Sequence, residues 1–185
     1  SVVSVDNYQG GRLAMAHLLE QGYQKIGHIA GPLDWWESRQ RLAAWKDALV
    51  ERGLEAKDTH WVEGNWSSAS GAYAVDKLLG QYPDLDSIFV ANDQMALSVL
   101  RAVNLLGLRI PEDIGIVGFD NIPESAYFFP SLTTVHQDQY EVARVAMQEM
   151  FQIIERGWQE DDPVIPQPIM LSPTFVVRES SLRNK

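Results

Sequence analysis

The 185-residue sequence is 45% hydrophobic and 22% charged, a globular balance with enough apolar material for a core and no low-complexity segment. Its formal net charge of -10 repels a phosphate backbone, so the chain alone is not expected to grip nucleic acid. It has no cysteine, which excludes disulfides and thiolate metal sites, and no apolar run of the roughly 18 residues a membrane span needs.

The chain opens on SVVSV, a strand-like run without the basic and apolar regions of a signal peptide, as expected of a cut inside a domain. A helix is predicted over 8–21, ending at Gly22, although Gly10-Gly11 within it reads as a turn. KIGHIAGP (25–32) is a short strand leading to a helix over 37–52, with Leu42, Trp45 and Leu49 at core spacing. Strand HWVEG (60–64) precedes a helix over 67–80, capped by Ser67 or Ser68. SIFVAN (87–92) leads to a helix over 93–106, with Asp93 expected as its cap and Ala96, Val99, Leu100 and Val103 as its apolar stripe. Gly53 and Gly107 stop the preceding helices. IGIVGFDN (114–121) is a further strand, followed by a loop with Pro123. LTTVHQD (132–138) is extended, and 139–156 reads as a long helix with Val142, Val145, Met150 and Ile153 on its apolar face. Asp161-Asp162 falls in a polar loop. The segment 163–178 is punctuated by prolines and closes on TFVVR, which belongs at a sheet edge or in a crossing between lobes. Strands alternating with helices predict an α/β fold with a parallel sheet covered on both faces and right-handed crossovers.

In such a sheet, ligands bind at the carboxyl ends of the strands. Those ends are GPLDWWES (31–38), GNWSS (64–68), ANDQ (91–94) and FDNIP (119–123). They gather Trp35, Trp36 and Trp66 with Asn92, Asp93, Gln94, Asp120 and Asn121. Flat aromatic faces beside amides and carboxylates suit a sugar, with its apolar C–H faces and rim of hydroxyls. Trp35 and Trp36 are adjacent, so at most one faces a ligand. Asp120 closes a buried strand and needs a partner such as Arg41. No GxSxG elbow, HExxH or nucleophile–base set is present. His17, His28, His60 and His136 lack ligand spacing, and Gly10-Gly11 is not followed by phosphate-loop spacing. Asn65-Trp66-Ser67 matches a glycosylation sequon, as short motifs do by chance. The residues read as a binding module, with no catalytic residue, metal or cofactor.

The blocks DNYQGGRLAMAHLLEQGYQKIGHIAGP (6–32), SRQRLAAW (38–45), NWSSASG (65–71), VANDQMAL (90–97), LGLRIPEDIGIVGFDN (106–121) and LTTVHQD (132–138) resemble, in order, the LacI/GalR family of transcription regulators. The resemblance implies a periplasmic-binding-protein-like (type I) fold, with two lobes around a cleft and a helix-turn-helix headpiece before them. Residues 7–133 would form the C-terminal lobe of the effector-binding domain. Segments 1–6 and 134–172 would belong to the N-terminal lobe and crossovers, and 173–185 to a final strand and tail. The DNA-binding headpiece would lie outside this chain.

The implied function is effector sensing and dimerisation in a cytoplasmic bacterial repressor, with a sugar or disaccharide between the lobes shifting operator affinity. Carried over by position, the contacts come from Arg41, Trp66, Asn92 and Asp120, with Gln137 close by. Glu37 replaces a small serine and Gln139 a phenylalanine of the lactose-responsive pattern. Both make the cleft more polar, and together with Trp35 and Trp36 they argue against the same galactoside and leave room for another disaccharide or a β-glucoside. The implied partners are a second copy of the chain and, through the headpiece only, operator DNA. The dimer surface would include Met95, Val99 and the Tyr127-Phe128-Phe129 cluster, which could equally pack within the lobe. The helix at 139–156 would expose an apolar patch relieved by self-association. One rival is a periplasmic sugar-binding protein serving transport. LGLRIPEDIGIVGFDN favours the regulator. A second rival, a dehydrogenase, lacks its Gly-rich phosphate loop.

Overall fold

Apolar strands joined by amphipathic helices bury both faces of a sheet only when the helices are shared between its two sides. The computed structural model, which describes residues 2–156 and 168–183, solves the problem in this way. In chain order the elements are β1 (Val3–Val5), α1 (Asn7–Glu20), β2 (Ile26–Ala30), α2 (Trp36–Glu51), β3 (Trp61–Glu63), α3 (Ser68–Gln81), β4 (Ser87–Val90), α4 (Asp93–Leu105), β5 (Gly115–Asp120), β6 (Thr133–His136), α5 (Gln139–Arg156), β7 (Ile169–Leu171) and β8 (Thr174–Val176). Asp161-Asp162 and the start of the proline-punctuated segment lie outside the described residues.

The main sheet has six strands in the order β3-β2-β4-β5-β6-β8, parallel except for β8, which runs antiparallel at the edge beside β6. The edge position suits the segment that follows prolines. Period-two alternation divides β4 cleanly. Ile88 and Val90 join Val75, Leu78, Val99 and Leu100 under α3 and α4, while Phe89 joins Met15, Leu18, Trp45 and Leu49 under α1 and α2. After β2 the chain moves outward to β3, then returns to the other side of β2 as β4. The strand order therefore reverses between β2 and β4, and their following loops diverge there to leave a crevice. A separate pair, β1 and β7, runs parallel, with α5 beside β1.

Three expectations are corrected. Gly10-Gly11 is not a turn but lies inside α1. A Cβ at Gly10 would sit 2.6 Å from the Phe119 ring, and one at Gly11 would sit 2.6 Å from the Ala44 methyl, so the glycines let α1 settle onto β5 and α2. The cap of α4 is Asn92, whose Oδ1 accepts the Met95 N–H at 2.9 Å, while Asp93 is already helical and fully buried. Met95 and Val99 face the core and are inaccessible, so neither can form a dimer surface. Ser67 is the cap of α3. Along α5, Val142 and Val145 are half-buried, whereas Tyr140, Met147, Met150, Phe151, Ile153 and Ile154 are exposed.

The turn after β8 is pinned by hydroxyls. Ser180 Oγ donates to the Ile116 carbonyl at 2.6 Å and accepts the Thr133 N–H at 2.9 Å. Ser181 Oγ donates to Thr133 Oγ1 at 2.7 Å and meets His17 Nε2 at 2.8 Å. Trp45 is among the largest fully buried side chains, and its indole N–H donates to the Ile26 carbonyl at 3.1 Å. Trp45→Ala is expected to lower unfolding free energy by about 3–5 kcal/mol, read from urea denaturation.

Candidate functional site

The carboxyl ends of β2, β4 and β5 face β1 and the start of α5 across a cavity of about 360 Å³. It is lined by Trp35, Glu37, Arg41, Trp66, Asn92, Asp120, Gln137 and Gln139, whereas Asp93, Gln94 and Asn121, gathered at the same strand ends in the sequence, do not line it. Val3, Ser4, Val5, Asn7 and Val142 complete the wall. Trp35 lines the cavity and Trp36 does not, as their adjacency requires.

At the floor is Arg41, 4% exposed. Its Nε and Nη2 donate to Asn7 Oδ1 at 2.9 and 2.7 Å, and its Nη1 donates to the Ala91 carbonyl. The guanidinium stacks 3.6 Å from the centre of the Phe119 ring and lies 5.6 Å from that of Trp66. Burial pushes its pKa down to about 10, with Asp120 opposing the shift, so it remains a cation at neutral pH. Nη1 stands 3.8 Å from Asp120 Oδ1, which also accepts the Gln137 amide N–H at 2.5 Å. Burial raises the Asp120 carboxyl above its usual value, while Arg41 and Gln137 hold it down. Asp120 thus presents a partly exposed carboxylate beside a cation and an amide.

The aromatic wall depends on local backbone geometry. Trp66 has φ 71°, an unusual conformation for a bulky side chain. It is fixed from below by Asn92 Nδ2, which donates to the Trp66 carbonyl at 2.9 Å. A Cβ at Gly31 would come within 2.1 Å of the indole, so only glycine lets that ring lie across the end of β2. Trp35 stands edge-on to Trp66, centroids 6.2 Å apart at 79°, forming an aromatic corner.

Sequence reasoning missed Asn7 and gave Asp93 the cap role that Asn92 plays. Asn7 is 1% exposed and bridges Arg41 to the Val5 carbonyl through its Nδ2. Nothing in DNYQGG distinguishes this buried asparagine from a surface one. Asp93 lies beneath the turn after β5, where Oδ1 accepts from Thr134 Oγ1 at 2.6 Å and Oδ2 from the Ile122 N–H at 3.0 Å. Burial pushes its carboxyl up to about 7, against the pull of those bonds.

The periplasmic binding protein-like domain matches residues 15–181. The HTH-type transcriptional repressor PurR of Aliivibrio salmonicida is 38% identical over 152 residues, covering 82% of this chain and 46% of that protein. Among solved structures, a transcriptional regulator CelR–cellobiose complex superposes with a TM-score of 0.89 at 34% identity, covering 97% of this chain and 54% of the other. The lac repressor dimer bound to operator and the anti-inducer ONPF gives 0.88 at 30% identity, covering 98% and 60%. The chain spans about half the length of the curated relatives it matches.

The Asp93 carboxyl sets a pH dependence with a definite sign. An unfolded aspartate releases its proton near pH 3.9, whereas the folded one holds its proton until about pH 7. Between these values the folded state binds more protons, so its contribution makes stability fall as pH rises, with the full penalty in place above about 7. The stability of the Asp93→Asn variant relative to wild type should therefore rise between pH 4 and 8, as measured by denaturant midpoints. A flat difference would show that Asp93 is ionised throughout.

Proposed function

The chain belongs to the periplasmic binding protein-like domain family, in the form carried by LacI-type transcription regulators, and on that premise we propose that it senses a sugar effector for a repressor. One observation carries the reading. The Arg41–Asp120–Gln137 cluster, with Arg41 buried and the other two partly exposed, faces the Trp35–Trp66 corner across a single cavity. A sugar hydroxyl can donate to the Asp120 carboxylate while it accepts from the Arg41 guanidinium or an amide N–H. The Trp66 face covers the C–H side of a ring. Trp35, 56% exposed at the margin, supplies a second apolar surface with Glu37 and Gln139 nearby, which fits a disaccharide. Similarity to a regulator solved with cellobiose supports that ligand class.

The cavity is bounded by the main sheet on one side and by β1 and α5 on the other, the sides read as the C-terminal and N-terminal lobes. Residues 7–136 with β8 and the turn after it then form one lobe, the expected boundary at 133 falling short because β6 pairs with β5 in the main sheet, while β1, α5 and β7 belong to the other. An effector touching both sides favours one arrangement of the lobes and shifts operator affinity by its preference for that arrangement. Operator DNA is held by a helix-turn-helix headpiece of the complete regulator, not by this acidic domain, in the cytoplasm. The described residues include no helix long and apolar enough to cross a membrane.

A homodimer forms through the outer face of α4. There Leu97, Leu105 and Phe129 surround an apolar groove floored by Leu100 and Phe128, and Tyr127 stands exposed beside it. The aromatic trio is divided, because Phe128 packs on the core while its neighbours point outward. Leu97→Asp should convert a dimer to monomer in sedimentation equilibrium, and unchanged mass would rule this face out.

Calorimetric titration of the full-length regulator with cellobiose, other disaccharides and glucose is expected to show binding of at least one disaccharide. Trp35→Ala should weaken the disaccharide about tenfold, on the order of one ring stacking contact, and affect glucose less. Silence across the whole panel would defeat the sugar reading.

A further inference from the structure

Asp120 reaches the cavity from a backbone that side chains rarely adopt. Its φ is 113° and that of Asn121 is 54°, consecutive left-handed residues at the end of β5. Such a conformation persists only where the surroundings impose it. Two side chains outside the cavity lining, Asp93 and Arg178, impose it here. From below, the fully buried Asp93 accepts the Ile122 N–H at 3.0 Å and the Thr134 hydroxyl at 2.6 Å, and Thr134 Oγ1 in turn accepts the Asn121 N–H at 3.3 Å. The carboxylate lies against the β5 backbone so closely that a Cβ at Gly118 would be 2.3 Å from its Oδ1. From the side, Arg178, just beyond β8, donates from Nη2 to Asn121 Oδ1 at 2.8 Å and from Nη1 to the Leu132 carbonyl at 2.7 Å and Ser125 Oγ at 3.2 Å. The Asn121 side chain is thereby held between Arg178 and His136 Nδ1, 3.2 Å away on β6.

We infer that Asp93 and Arg178 are positioning residues for ligand binding, clamping the 120–122 turn so that the Asp120 carboxylate is aimed at Arg41 and the sugar. The inference rests on the proposed sugar site, but its geometric half stands apart from it. Neither residue lines the cavity, so neither is required to touch the ligand. Their effect on affinity must pass through Asp120. The clamp also ties β8 to the site, because Arg178 lies two residues past its end and its N–H donates to Thr133 Oγ1 at 2.8 Å.

The test uses Asp93→Asn and Arg178→Lys in the full-length regulator, each with and without Asp120→Ala, and two readouts. Hydrogen exchange should accelerate at least tenfold across 119–124 in both single variants while β4 and α4 stay protected. Affinity for the best disaccharide should fall about tenfold in each single variant and not fall further when Asp120 is already alanine, the non-additivity expected of a residue acting through another. Unchanged exchange in 119–124, or an equal affinity loss with and without Asp120, overturns the inference. If one variant fails to fold, the other carries both readouts. If wild type binds no sugar, the proposed function fails while the exchange readout still decides the clamp.

Discussion

The structure depends on keeping one guanidinium dry. Arg41 sits where α2, the end of β4, the end of β5 and the β1–α1 junction meet, and it bonds to or stacks on a residue from each neighbour. A buried cation is tolerated only when its donors are satisfied and an opposite charge is near. Asn7, the Ala91 carbonyl and Asp120 meet that demand, and the Phe119 ring supplies a cation–π face. Asp120 is the one charged member of the set that still has open space in front of it. That asymmetry turns a structural ion pair into a place where a hydroxylated ligand can complete the arrangement.

The surrounding loops are held in conformations that favour recognition over stability. Among the described residues, non-glycine positive φ values occur at Trp66, Asp120 and Asn121, which lie at or just beyond strand ends beside the cavity. Left-handed non-glycine residues cost on the order of 1–3 kcal/mol each, and they cluster where a site needs a side chain in an unusual direction. Here the cost is offset locally, by the Asn92 amide under Trp66 and by Asp93 and Arg178 around Asn121. The doubly covered sheet gives these strained loops a rigid base.

Much of this was legible in the sequence because helix periodicity and strand alternation are strong signals. The stripes Leu42-Trp45-Leu49 and Ala96-Val99-Leu100-Val103 do face the core, and Gly22, Gly53 and Gly107 carry the positive φ expected of helix stops. The site lining was legible because strand ends of a parallel sheet converge, and the family resemblance supplied the contacts from β6 and α5. What was lost depended on one-residue differences. Asn92 and Asp93 are both good cap residues, and only tertiary packing decides which one stays outside the helix. Val99 was read as core from its spacing and as interface from resemblance, and the spacing proved correct. Gly10-Gly11 was misread because glycine marks close packing as readily as it marks a turn. Asn7 carried no signal, since its role is defined by an arginine distant in the chain.

The Asp120 charge beside Arg41 serves a ligand more than it serves the fold. Asp120→Asn tests this most directly, because asparagine keeps the shape, tolerates positive φ and removes only the charge. Melting temperature and disaccharide affinity should be measured on the same preparation at pH 7. Asp120→Asn should cut affinity about 10–100-fold, the scale of a hydrogen bond to a charged group, with only a modest fall in melting temperature, because Asn7, the Ala91 carbonyl and the Phe119 ring still hold Arg41. A variant that binds sugar as tightly as wild type, or that loses stability and affinity in proportion, would contradict it.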